Sequence, residues 1–100
     1  MAARYSVSEL GRIISPIAVQ YGVRRVSLFG SYSTGKADEN SDVDLLIEKG
    51  NLRSLFQLSG FRLAVEDALQ LPVDLVTTES SDREFIERIR EDEVVLYGEA

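Results

Sequence analysis

Residues 26–47 constrain the fold and the chemistry of this chain more than any other stretch. An apolar run ends in Gly30-Ser31, ten residues follow, and Asp42 and Asp44 then flank Val43 at the start of a second apolar run. Side chains two apart on a strand point to the same face, so the two carboxylates can lie side by side. The glycine and serine offer backbone N–H groups and a hydroxyl to a phosphate. The stretch therefore predicts a metal and phosphate site, which is typical of nucleotide chemistry.

Composition restricts which groups can do that chemistry. The chain has 100 residues and is expected to form a single domain, residues 1–100, around one hydrophobic core. It contains no cysteine and no histidine, which excludes disulfides, thiol catalysis, zinc sites built from Cys and His, and a histidine general base. Oxygen ligands and carboxylate bases must therefore carry the reaction.

The charge balance bears on the partner. The formal net charge is -6, and the lysines and arginines are scattered rather than gathered into a basic face. Binding to a long nucleic acid depends on many phosphate contacts and is therefore not expected. A small nucleotide carrying Mg²⁺, or a basic protein, fits the charge better. No apolar run reaches the roughly 20 residues of a membrane span, so we expect a soluble, cytoplasmic protein with no membrane contact.

Helical periodicity appears in three segments. The first opens with a capping box at Ser6–Glu9 and ends at Gly22, with a kink or a break into two pieces expected at Pro16. The second runs from Leu52 to about Gln70, and Ser54 with Gln57 could cap it, which leaves its start open. The third opens with a capping box at Ser81–Glu84.

Four apolar segments predict β-strands. They are Val26–Gly30, Val43–Ile47, Val73–Val76 and Val94–Tyr97. The connection Ser31–Ser41 is predicted to be a turn or a one-turn helix followed by a loop. It is shorter than most parallel crossovers, so the first two strands are expected to be antiparallel. The predicted fold class is α/β (α+β): a small mixed sheet of about four strands with helices mainly on one face.

A third aspartate, Asp74, lies in the third predicted strand, which otherwise looks buried. If the second and third strands are neighbours, Asp42, Asp44 and Asp74 converge, and their charges repel unless a cation lies between them. Oxygen ligands of this kind suit Mg²⁺ or Mn²⁺, and two such ions would stabilise an in-line phosphoryl or nucleotidyl transfer. Asp74 would then also serve as base for the attacking hydroxyl.

Each of these signals has an ordinary structural explanation when it stands alone. Gly30-Ser31 could be a simple turn, Asp42 and Asp44 could lie on a solvated edge strand or at a helix cap, and Asp74 could pair with an arginine. The conjunction of all three at these spacings favours a metal and nucleotide site.

Taken together, these residues resemble the nucleotidyltransferase pattern of the DNA polymerase beta superfamily. The resemblance rests on Gly30-Ser31, on Asp42-Val43-Asp44, and on Asp74 within Pro-Val-Asp-Leu-Val. The short chain is similar to the minimal nucleotidyltransferase (MNT) branch over nearly its whole length, from the Tyr-Gly-Val entry at 21–23 to the Val-Leu-Tyr ending at 95–97.

The resemblance implies a polymerase beta-like fold and transfer of AMP from ATP to a hydroxyl, with Mg²⁺, two ions expected, as cofactor. It also implies an antitoxin role, in which the acceptor is a tyrosine of a partner HEPN-domain toxin. Asp42, Asp44 and Asp74 are then catalytic metal ligands, and Gly30 and Ser31 bind the nucleotide. Many relatives have an arginine in the following loop, where this chain has Thr34, and Lys36 is the candidate replacement.

Two other functions remain open. The acidic chain could neutralise a basic partner by contact alone, or it could modify small hydroxylated molecules such as antibiotics. The chain lacks the extra domain that larger relatives use to hold nucleotide and acceptor, so a partner or a second copy in a homodimer could complete the site.

Overall fold

A computed structural model describes residues 3–98 of the chain. The part of the chain that it describes contains four helices and four strands that alternate along the sequence. They are α1 (Val7–Tyr21), β1 (Arg25–Phe29), α2 (Ser31–Thr34), β2 (Val43–Glu48), α3 (Leu55–Leu69), β3 (Val73–Thr77), α4 (Arg83–Asp92) and β4 (Val94–Tyr97).

The four strands form one mixed sheet in the order β3-β2-β1-β4. β1 runs antiparallel to both β2 and β4, whereas β2 and β3 are parallel. The parallel pair requires a crossover, and α3 provides it. The mixed sheet and the antiparallel first pair are therefore confirmed.

The hydrophobic core lies between one face of the sheet and the two long helices α1 and α3. Tyr21 of α1 meets Phe61 of α3 edge to face, with ring centroids 5.9 Å apart. On the other face, Leu46 of β2 packs against Ile86 and Ile89 of α4 in a smaller cluster. The prediction of helices mainly on one face is confirmed, with α4 on the opposite face. That second face is also the one that carries the aspartates.

The α1 capping box is present: the side chain of Ser6 accepts from Glu9 N–H at 3.0 Å, and Glu9 accepts from Ser6 N–H at 2.8 Å. α1 then continues unbroken through Pro16 to a left-handed cap at Gly22, so the alternative of two helical pieces is wrong. Pro16 is exposed, and water can therefore bond to the carbonyl that loses its helical donor.

The sequence left the start of the second long helix open between Leu52 and a cap at Ser54. The Ser54 and Gln57 capping box forms, so α3 begins at Leu55, and Leu52 is buried before the helix. The start of the last helix differs from the sequence prediction. α4 does not use a box at Ser81–Glu84. Asp82 is its N-cap and accepts from the N–H of Phe85 at 3.0 Å. Aspartate caps as well as serine, so a serine one position earlier was not decisive.

None of the helices within residues 3–98 is both long enough and apolar enough to cross a membrane.

Candidate active site

Asp44 and Asp74 occupy directly opposed positions on the parallel strands β2 and β3. Neighbouring strands lie about 4.8 Å apart, and side chains at opposed positions point to the same face. The face is the one that α4 partly covers, because Leu46 and Val76, two residues further along each strand, pack in the α4 cluster. The fold thus brings two carboxylates together on one face near the start of β2 and β3.

The two carboxylates interact electrostatically. The pKa of Asp44 is raised from 3.8 to about 6. Burial is the largest cause, followed by the charge of Asp74, a hydrogen bond with the Asp74 side chain, and the charge of Asp42. Two like charges at this range favour either a shared proton or a cation between them.

Gly30 lies against Asp44. A β-carbon on residue 30 would collide with Oδ2 of Asp44, and the backbone there has φ 75° and ψ -150°, a region in which only glycine is comfortable. The sequence interpretation gave Gly30 the role of admitting a phosphate. The structure adds a second reason for glycine, because only a residue without a side chain leaves room for Asp44 beside β1.

The other predicted site residues lie around this centre. Asp42 is exposed and directly precedes β2. The expectation that Asp42 lies on a strand is therefore wrong. Ser31 is the first residue of α2, where backbone N–H groups lack helical acceptors. Lys36 lies just beyond α2, is exposed, and makes none of the ion pairs found within residues 3–98.

Asp74 differs from its expected surroundings. The sequence pattern placed it on a strand that looked buried, but Asp74 is exposed. The reason is that β3 lies at the edge of the sheet, where its second face is only partly covered. Exposure leaves this carboxylate accessible to a second substrate.

The carboxylates fit a divalent cation that shares its ligands with a substrate. Within residues 3–98 no three Asp, Glu, His or Cys side chains are close enough to form a complete protein site. Mg²⁺ is commonly held by one or two carboxylates together with phosphate oxygens and water. The mutual repulsion of Asp44 and Asp74 is the feature that such a cation would relieve.

Sequence reasoning missed one group beside this centre. A pocket of about 270 Å³ adjoins Gly30, and its lining includes Phe29 together with Phe85, Arg88 and Ile89 of α4. Arg88 brings a cation near Gly30 although 58 residues separate them in the sequence. The only available signal was its spacing: Arg88 follows Phe85 by three residues and shares its helix face.

Replacing Gly30 by alanine tests the contact with Asp44, and Gly35 provides a control for the positive φ. Both glycines flank α2, with φ 75° and 77°, but a β-carbon at Gly35 meets no atom within 4 Å. We expect Gly35→Ala to cost about 1 kcal/mol from backbone strain alone. Gly30→Ala should cost about 2 kcal/mol more, because ψ is -150° there and 14° at Gly35, and because Asp44 must move. Urea unfolding measures both losses. Adding Asp44→Ala to Gly30→Ala should recover the part that the contact causes, and no recovery would contradict the contact.

The raised pKa of Asp44 predicts a pH-dependent stability. The Asp44 carboxyl ionises near pH 4 in the unfolded chain and near pH 6 in the folded protein. While this carboxyl is neutral in both states, below pH 4, it does not lower the free energy of unfolding. That free energy then falls as the pH rises through 6, because the folded protein must bury a charge. Because the group is partly exposed, we expect a loss of only about 1 kcal/mol. With chelator present, Asp44→Asn should gain this amount over the unaltered protein between pH 4.5 and 7.5.

Urea unfolding at the two pH values measures that gain, and Asp67→Asn is the control, since Asp67 is exposed on α3 and does not contribute to the raised pKa of Asp44. A constant difference between Asp44→Asn and the unaltered protein at both pH values would contradict the assignment.

Comparisons with known proteins agree with this geometry. Residues 12–100 match the family model described as Polymerase beta, Nucleotidyltransferase. A Methanocaldococcus jannaschii protein named "Putative protein adenylyltransferase MJ0435" is 39% identical over 75 residues, which are 75% of this chain and 81% of that protein.

Two solved structures share the fold. A crystal structure of a toxin-antitoxin with AMP-PNP has a TM-score of 0.77 at 23% identity, covering 89% of this chain and 73% of that one. A structure of a tri-AMPylated Shewanella oneidensis HEPN toxin with its MNT antitoxin has a TM-score of 0.72 at 19% identity, covering 93% of this chain and 73% of that one. This chain is a nucleotidyltransferase and belongs to the family described as Polymerase beta, Nucleotidyltransferase.

Proposed function

We propose that this chain is a Mg²⁺-dependent AMP transferase that modifies a hydroxyl, in particular a tyrosine, of a partner HEPN-domain toxin and so acts as its antitoxin. One observation carries the proposal: Asp44 and Asp74 are opposed on neighbouring strands, with Gly30 against Asp44. The similar structures, one with AMP-PNP and one with an AMPylated HEPN toxin, support the choice of nucleotide and partner.

In the proposed reaction, one bond to the α-phosphorus forms and another breaks. The acceptor oxygen bonds to the α-phosphorus of ATP, the bond from that phosphorus to the bridging oxygen breaks, and pyrophosphate leaves. The exposed carboxylate of Asp74 accepts the hydroxyl proton. Ser31 donates a hydrogen bond to a phosphate oxygen that does not react, and the glycine backbone at residue 30 allows close approach.

Asp44 and Asp74, with Asp42 as a further ligand, are the residues that would hold Mg²⁺, two ions being expected. When bound, the cation would neutralise phosphate charge and lower the pKa of the acceptor hydroxyl. The protein's own contribution is to hold the two carboxylates in register through the strand pairing of β2 and β3.

The pocket beside Gly30 is proposed as the nucleotide side of the site. Arg88 lies where a phosphate oxygen could accept from its guanidinium, and Phe29, Phe85 and Ile89 offer apolar surface to the base. Arg88 would thereby supply the positive charge that Thr34 does not. Lys36, which lies beyond the opposite end of α2 from Gly30, is the weaker candidate for this role.

A second function class is favoured by one observation, the net charge of -6. An acidic chain could neutralise a basic partner by contact without any transfer. The experiment on the carboxylates separates the two, because contact alone does not require both Asp44 and Asp74.

Loss of either paired carboxylate should abolish transfer. With ATP labelled at the α-phosphate, Mg²⁺ and the product of the neighbouring gene, we expect Asp44→Asn and Asp74→Asn each to lower label incorporation at least ~100-fold. Glu87→Gln, which changes an exposed carboxylate of α4 that does not line the pocket beside Gly30, should leave the rate unchanged. The catalytic proposal fails if the unaltered protein transfers no label. It also fails if a variant that carries both Asp44→Asn and Asp74→Asn neutralises the partner fully.

Arg88→Gln should weaken ATP binding about tenfold, as expected for loss of a hydrogen bond to a charged group. Arg83→Gln is the matched control, because Arg83 is also exposed on α4 but does not line the pocket. Calorimetric titration with Mg²⁺-ATP measures both affinities. Equal affinities for the two variants would remove Arg88 from the nucleotide site.

A further inference from the structure

A second pocket lies at the edge of the sheet, at Asp74, and has a volume of about 310 Å³. It lies between α3 and β3, the edge strand of the sheet. Its lining residues are Leu58, Ser59 and Arg62 of α3 and Val73, Asp74 and Leu75 of β3. Asp74 therefore belongs both to the carboxylate pair and to the lining of this pocket. Three of the six lining residues are apolar, and the other three are Asp74, Ser59 and Arg62.

The side of α3 next to this pocket exposes large apolar side chains. Leu55 is 81% exposed and Phe56 is 91% exposed, both in the first turn of the helix, and Leu63 is 55% exposed two turns later. Leu55 and Ser59 are four residues apart and share a helix face, which places Leu55 at the mouth of the pocket. We call Leu55, Phe56, Ser59, Arg62 and Leu63 the outer surface of α3.

The size and chemistry of this outer surface indicate a macromolecule. Together with the acidic residues beyond Leu63, it extends along α3 from Leu55 to Asp67, a distance of about 18 Å, which exceeds the span of a small acceptor. Neighbouring exposed apolar residues on a soluble protein mark protein contact sites, whereas single ones are ordinary. Beyond Leu63 the surface becomes acidic, because Glu66 and Asp67 line a further pocket of about 470 Å³. A partner that presents an apolar side chain next to basic residues would match both the apolar outer surface of α3 and the acidic residues beyond it.

Continuity with Asp74 identifies the occupant further. A protein seated in the α3 and β3 pocket contacts the edge of the sheet at Asp74, the residue that is proposed to take the acceptor's proton. Val73 and Leu75 face α3 and the Asp74 side chain faces the other side of the sheet, so the protein reaches that carboxylate around the exposed edge of β3. A second copy of this chain is less favoured, because each copy carries a net charge of -6. The two pockets then lie on different sides of the carboxylates, one next to Gly30 and one next to α3, which suits a reaction between two substrates.

We propose that the partner protein that carries the acceptor hydroxyl docks on the outer surface of α3 and inserts an apolar side chain between Leu58 and Leu75, next to Asp74. This inference rests on the proposed AMP transfer and names the surface through which the acceptor is held. Leu55 and Phe56 supply contact area, and Ser59 and Arg62 line the pocket. Arg62 is also paired with Glu66, with Nη1 and Oε2 3.3 Å apart.

Two variants test the surface, and one serves as control. Ser59→Trp fills the pocket, and Leu55→Ala with Phe56→Ala removes the exposed apolar area; neither changes a buried residue. Val19→Ala removes an exposed apolar side chain, 61% exposed, from α1 instead. Circular dichroism and the melting temperature check that each variant folds, and the rise in melting temperature with Mg²⁺-ATP checks the nucleotide site.

We expect Ser59→Trp and the double alanine variant each to weaken binding of the neighbouring gene's product at least tenfold by calorimetry, and to slow AMP transfer to it in proportion. Val19→Ala should match the unaltered protein, and the response to Mg²⁺-ATP should be the same in all. Unchanged partner affinity in both variants would overturn the inference, as would a homodimer in sedimentation that Phe56→Ala dissociates.

The docking surface and the AMP transfer fail in different ways. If the unaltered protein binds the partner but transfers no AMP, the proposed activity fails while the binding measurement still tests the surface. If transfer occurs and neither variant slows it, the activity stands and the α3 surface is not the acceptor site.

Discussion

The register between β2 and β3 is the constraint on which the site depends. It holds Asp44 opposite Asp74, where burial first and then the charge of Asp74 raise the pKa of Asp44 to about 6. The same strands place Val43, Leu45 and Val73 on the other face, where they are buried in the main core. A shift of one residue would expose those apolar side chains and bury the aspartates. Apolar packing on one face therefore maintains an unfavourable charge pair on the other, without any direct contact between the two groups.

Gly30 extends the same constraint to β1. Asp44 pairs across the sheet with Phe29, and the chain must then turn into α2 at once while leaving space for the Asp44 carboxylate. A backbone with positive φ and no side chain meets both needs. Gly30 is consequently both the residue at which a phosphate would approach the backbone and the residue that lies against the Asp44 carboxylate. This coupling explains in physical terms why a glycine ends an apolar strand that would otherwise favour a larger residue.

Local signals made most of the fold predictable. The capping boxes at Ser6 and Ser54 fixed two helix starts, and the short connection after Ser31 indicated an antiparallel first pair. The features that could not be predicted depend on the order of the strands and on the packing of α4. The exposure of Asp74 follows from the edge position of β3, and the approach of Arg88 to Gly30 follows from α4 packing on the second face. Neither has a signature in the neighbouring sequence, because both arise from contacts between residues far apart in the chain.

The arrangement also explains how so short a chain can serve two substrates. A sheet edge with a helix on each face has two distinct approaches to one pair of residues, and here one approach is lined by Gly30 and Arg88 and the other by Asp74 and α3. Under the proposed function the nucleotide would use the first approach and the acceptor the second, so neither substrate would have to pass the other. Asp74 is exposed on the side proposed for the acceptor, and a bound partner would exclude water there. On this reasoning the partner contributes a wall of the site as well as the acceptor, and transfer should be efficient only in the complex.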